Sequence, residues 1–72
     1  MGATTMNEFS RVDSLDLFDE FVYEDKTLIV YDKTPTKTLA YEQNNPYIEH
    51  SIPNNVAIPE SDICRFYDNQ II

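Results

Sequence analysis

Arg11-Val12-Asp13-Ser14-Leu15-Asp16-Leu17-Phe18-Asp19-Glu20-Phe21-Val22-Tyr23-Glu24 is the stretch on which the fold class turns. Wound at about 100° per residue, Leu15, Phe18, Phe21 and Val22 fall on one face, with Asp13, Asp16, Glu20 and Glu24 in a stripe opposite. Laid out as a strand, Phe18 and Val22 share a face with Asp16, Glu20 and Glu24, a poor pattern for burial. The spacing therefore predicts an amphipathic acidic helix over residues 11–24. Ser10 or Ser14 would cap it, and Asp13 and Asp16 would sit at the positive end of its dipole. Phe21-Val22-Tyr23 works against a helix, because β-branched and aromatic side chains lose rotamer freedom there.

Outward from that stretch the chain reads as strands. Residues 27–33 and 37–42 are rich in β-formers and joined by Thr34-Pro35-Thr36. Turn signals at Asn44-Asn45-Pro46, Pro53 and Asn54-Asn55 bracket a third candidate strand over 47–52. The asparagine pairs are expected to take left-handed backbone in place of glycine, since Gly2 is the single glycine. Pro59-Glu60-Ser61-Asp62 reads as a helix start, followed by Ile63, Phe66, Tyr67 and Ile71 at helical spacing. Residues 63–67 would also serve as a short strand. The expected architecture is α+β: an N-terminal acidic helix, a small antiparallel sheet of two or three strands and a short C-terminal helix. Residues 1–72 read as one small domain, with 1–8 a flexible extension and either Met1 or Met6 the natural start.

The 72 residues carry 42% hydrophobic and 12% aromatic side chains, too apolar for a disordered acidic tail. A domain this short buries only about 60% of its unfolded surface, which leaves no room for a deep catalytic cavity. With one glycine the chain cannot build a phosphate-binding loop or a dinucleotide fingerprint. His50 and Cys64, the only residues of their kinds, could supply a base and a nucleophile. They read instead as a surface histidine and a small core residue, so no enzyme is expected and no cofactor or metal is implied. No spacing matches a calcium loop or a helical histidine pair. A lone cysteine forms no internal disulfide, which fits a cytoplasmic protein, and no apolar run reaches the length of a membrane span.

Thirteen acids against five bases give a net charge of −8, which excludes ordinary binding to a phosphate backbone. The charge is uneven. Residues 1–25 hold seven acids and only Arg11; 26–43 hold three lysines against two acids; 44–72 hold four acids against Arg65. On the expected helix, Asp13, Asp16, Glu20 and Glu24 would span about 16 Å, and Asp19 and Asp25 would widen them into a ridge. Such a ridge can stand in for DNA phosphates and occupy a Lys/Arg-lined groove.

Within the ridge, Ser14-Leu15-Asp16-Leu17-Phe18 resembles the clamp-binding pentapeptide of bacterial replication proteins, Gln-Leu-(Ser/Asp)-Leu-Phe. Here Ser14 stands where that pattern has glutamine, and the resemblance covers five of the 72 residues. It implies that Leu15, Leu17 and Phe18 fill an apolar pocket on the DNA sliding clamp, with Asp16 in the permitted third position. In size and charge the chain is also similar to the small acidic inhibitors, mimics of DNA, that phages direct against host replication and defence enzymes. The sequence thus leads to a non-catalytic inhibitor that occupies the basic surface of a DNA-handling protein, foremost the sliding clamp, and so blocks replication. Its binding residues would be Asp13, Leu15, Asp16, Leu17, Phe18, Asp19, Glu20, Glu24 and Asp25. The alternative is an antitoxin-like or accessory subunit held through an apolar strand edge and tyrosines. An exposed edge could also support a homodimer.

Overall fold

A computed structural model describes residues 8–66, and strands account for nearly all of their regular structure. They are β1 (Phe9–Arg11), β2 (Glu20–Tyr23), β3 (Lys26–Lys33), β4 (Lys37–Glu42), β5 (Asn45–Pro53), β6 (Ala57–Pro59) and β7 (Ile63–Cys64). Single 3-10 turns occupy Val12–Ser14 and Glu60–Asp62. The fold is thus mostly β, and the α+β expectation is corrected. The acidic helix over 11–24 is replaced by a 3-10 turn, a loop and β2. The predicted C-terminal helix start is a 3-10 turn leading into β7, and Tyr67 and Ile71 lie outside the described residues. So do residues 1–7 of the expected extension, whereas Glu8 takes the Glu60 N–H on its carbonyl at 2.8 Å.

Strands β2 to β5 form an antiparallel meander, and β7 adds to the free side of β2, giving the order β5-β4-β3-β2-β7. Alternation along these strands separates two faces. Phe21 pairs with Leu28, Val30 with Ala40 and Thr38 with Ile52, and all six side chains are buried on the inner face. β1 and β6 form a separate two-stranded ribbon with Ser10 opposite Ile58. Ile58 from that ribbon, with Val12 and Leu15 from the segment after β1, joins the inner-face residues in one buried cluster. Burying side chains of this size contributes about 1.5–3 kcal/mol each. The outer face carries Val22, Ile29, Tyr31, Leu39 and Tyr41, all half-buried or exposed.

The helical periodicity of residues 11–24 arose from two unrelated burial events. Leu15 is buried from the loop and Phe21 from the strand, while Phe18 and Val22 are exposed. Left-handed backbone also falls elsewhere than expected. Among the described residues the non-glycine positions with positive φ are Phe18 (75°), Glu24 (52°) and Asp25 (67°), and no asparagine is one of them. Glu24 and Asp25 form the two-residue connection between β2 and β3, and positive φ at both makes it a type I′ turn, whose twist matches the strands.

Candidate functional site

The loop between the first 3-10 turn and β2 is a compact, tied structure. Asp19 N–H donates to the Asp16 carbonyl at 3.1 Å, closing a turn over residues 16–19. Phe18 occupies its third position with positive φ and Leu17 its second without, which defines a type II turn. That third position ordinarily takes glycine; an aromatic residue there costs about 1–2 kcal/mol. The turn is held from within by Asp19, whose side chain is 1% exposed. One carboxylate oxygen accepts the Asp16 N–H at 2.8 Å and the other the Phe66 N–H at 2.7 Å, with Arg65 Nη1 at 3.9 Å. Phe18 N–H donates to the Val30 carbonyl at 2.7 Å, and Val30 N–H to the Asp19 carbonyl at 3.0 Å, fixing the loop to β3.

The result is an exposed apolar tip. Leu17 is 42% and Phe18 50% exposed, and the Phe18 ring leans on Phe66 with centroids 5.7 Å apart. Leu15, the remaining apolar member of the pentapeptide, is fully buried. The pentapeptide therefore presents two of its three expected anchors, Leu17 and Phe18, with Asp16 exposed beside them.

The six carboxylates expected on one helix face are distributed over several elements. Asp13 is held by Arg11 through two bonds, Nε to Oδ1 at 3.1 Å and Nη2 to Oδ2 at 3.0 Å. Asp16 is exposed at the turn, and Asp19 is internal. Glu20 lies on the outer face of β2 and accepts from Gln43 Nε2 at 3.4 Å. Glu24 and Asp25 are exposed at the hairpin tip. Glu20 and Glu24 are four residues apart on extended chain, about 13 Å at strand rise. The acidic surface is thus a line along β2 and its flanking turns.

Elsewhere, His50 Nε2 lies 2.8 Å from Glu42 Oε2, and Cys64 is exposed on β7 opposite Glu20. Glu60 accepts a short hydrogen bond from Ser10 Oγ and a bidentate contact from Arg65 Nη2. The Ser10 bond and then Arg65 hold the Glu60 carboxyl below its usual range. Tyr31 donates its hydroxyl to Glu49 Oε1 at 2.8 Å, and that bond, burial and the Glu49 charge raise the phenol. Among the described residues no three His, Cys, Asp or Glu side chains gather to hold a metal ion, and no helix is long and apolar enough to cross a membrane. The strained Phe18 turn escaped the sequence reading, because no glycine or asparagine marks it and its clamp, Asp19 to Phe66, spans 47 residues.

The chain matches no protein-family model, no curated protein and no solved structure.

Proposed function

We propose that the protein is a non-catalytic acidic inhibitor that docks on a basic, DNA-handling protein, with the bacterial sliding clamp the first target to assay. The observation that carries this reading is Phe18, half-exposed and held at positive φ on a turn tied down by the buried Asp19. Backbone strain at an exposed aromatic points to function, because glycine would form the same turn at lower cost. Leu17 and Phe18 supply apolar anchors, and Asp16, Glu20, Glu24 and Asp25, none of them ion-paired among the described residues, supply charge that steers a basic partner. The action is on a protein surface, with no direct contact to nucleic acid.

The test is retention of purified clamp, and of a bacterial lysate, at about 50 and about 500 mM salt, since screening weakens charge steering between those values. The expected result is binding at low salt that is lost at high salt and falls at least about tenfold, or ~1.4 kcal/mol, in Asp16→Lys/Glu20→Lys/Glu24→Lys. Asp19 stays unaltered in that variant because its carboxylate is internal. Phe18→Gly relieves the strain, so it should keep the fold while losing the partner. Full retention by both variants would sink the reading. The accessory-subunit alternative has Tyr47, 94% exposed on β5, in its favour, and it predicts retention indifferent to salt.

A further inference from the structure

The edge of the sheet opposite β7 is formed by β5, and among the described residues no strand pairs with its outer side. Asn54 N–H donates to the Thr36 carbonyl at 3.0 Å, one step beyond the Lys37–Pro53 pair. In an antiparallel ladder such bonds flank a pair that is itself unbonded, so bonding alternates from there. Thr38–Ile52 and Ala40–His50 are then the bonded pairs, and the backbone groups of Ser51 and Glu49 face away from β4. Pro53 also faces outward, where its missing N–H costs no ladder bond. Nearer the hairpin, the register passes from Tyr41–Glu49 to Glu42–Asn45. Pro46, Tyr47 and Ile48 bulge out of the ladder there, with Tyr47 and Ile48 exposed.

We propose that this edge accepts an extended segment of the basic partner as an added strand, one alternating apolar residues with Lys or Arg. Main-chain bonds to Glu49 and Ser51 would supply affinity, and the alternating side chains specificity. Beside the open stretch, the exposed Ile48 offers apolar surface to the incoming strand, while Ile52 stays buried in the core. On the outer side stands Glu49, oriented by the Tyr31 hydroxyl and carrying a second carboxylate oxygen for a cation. Charge decides the occupant. A second copy paired across this edge would set two chains, each at −8, against each other, whereas a basic segment is attracted. Pro46 and Pro53 bracket the open stretch and limit it to a short partner strand, an arrangement that admits one segment and discourages stacking of many.

The proposal rests on the reading of a basic partner, but its test uses no partner protein. The full chain, isotope-labelled, is titrated with the capped peptide Lys-Val-Lys-Val-Lys-Val, with the same peptide N-methylated at alternate residues, and with Glu-Val-Glu-Val-Glu-Val. The expected result is slowing of amide exchange at Glu49 and Ser51 by about tenfold or more with the first peptide only. Ser51→Pro removes an outward N–H and no β4 bond, so it should abolish binding with the unfolding midpoint held. Glu49→Lys, a second and milder variant, should reverse the preference toward the acidic peptide. The proposal is overturned by unchanged exchange at both amides, by equal binding of the N-methylated peptide, or by concentration-dependent self-association that Ser51→Pro removes. If the basic peptide adds to β5 while no basic protein is retained, the edge stands and the inhibitor reading falls; the converse pair of results does the opposite.

Discussion

Residues 12–25 and residues 26–53 are neighbours in the chain and in the sheet, yet they reach their structures by different physics. The second stretch is self-sufficient: β3, β4 and β5 alternate inward and outward, pair with their sequence neighbours and close through short turns. That alternation alone sets Leu28, Val30, Thr38, Ala40 and Ile52 on one face, where Val12, Leu15 and Ile58 join them in the buried cluster. The first stretch depends on others. It holds Phe18, Glu24 and Asp25, the non-glycine residues with positive φ among the described ones, and its central turn is tied by Asp19 to Phe66. A segment held this way can present Leu17 and Phe18 to solvent at a fixed angle, which a regular strand of the sheet could not do without turning one of them inward. The comparison teaches that the sheet is the scaffold and the acidic loop is the part held in tension upon it.

The sharpest way to break that comparison is to remove the clamp. Asp19→Ala removes the charged acceptor of two part-buried hydrogen bonds, those from the Asp16 and Phe66 N–H groups. The expected loss is about 3 kcal/mol, read as a lower urea midpoint. Because the clamp serves only the first stretch, exchange should quicken first at Phe18, Asp19 and the β2–β7 pairing, with β4 and β5 amides changing last. Asp19→Asn, which keeps one oxygen acceptor, should lose less. Uniform loss across the sheet would mean that the two stretches are one cooperative unit and the contrast between them is nominal.

The same contrast explains what the sequence disclosed. The 37–42 strand is observed with those bounds, the 27–33 strand gains Lys26, and the third grows from 47–52 to Asn45–Pro53. Each is a local signal, a run of β-formers between turn residues. Residues 11–24 misled because burial there is imposed from a distance: Leu15 packs with Ile58 and Val56 from the ribbon side, and Asp19 is internal because of Phe66. No periodicity within the stretch encodes those partners. Of the candidate site, exposure of Asp16, Glu24 and Asp25 follows from their polarity, and Leu15 is buried as its place on the apolar face of the helical reading implied, whereas the exposure of Phe18 from that same face and the burial of Asp19 had no local signal.

Strain is the second axis of the comparison, and it can be tested without touching a side-chain contact. Glu24 and Asp25 are exposed and both have positive φ in the type I′ turn, where Asn-Gly or Asp-Gly is favoured. Asp25→Gly should therefore stabilise the protein by about 1 kcal/mol, seen as a higher midpoint with an unchanged denaturant slope. The equivalent change in the scaffold, Thr36→Gly in the β3–β4 connection, relieves no positive φ and should destabilise slightly through unfolded-chain entropy. Equal effects at the two turns would remove strain as a distinction between the stretches.

The smallest effects come from two hydrogen-bonded groups, the Glu60 carboxyl and the Tyr31 phenol, whose titrations address different parts of the molecule. Glu60 ties Ser10 of the ribbon to Arg65, which also approaches Asp19, so it belongs to the strapping of the first stretch. Its carboxyl is held low, so its contribution is present above the ordinary carboxylate value and is lost as pH falls through the lowered one. Tyr31 and Glu49 belong to the scaffold, bridging β3 to β5. The Tyr31 phenol is raised by that bond, so the folded state binds its proton more tightly. That contribution is present below about 10 and is lost as pH rises through the raised value. Urea midpoints followed across pH should thus show a shallow acid limb that Glu60→Gln flattens and a shallow alkaline limb that Tyr31→Phe removes. Exchange at the acid limb should quicken around the ribbon and β7, and at the alkaline limb along β5. If both limbs loosened the same amides, the two networks would be coupled through the core, and the loop could not be strained independently of the sheet that carries it.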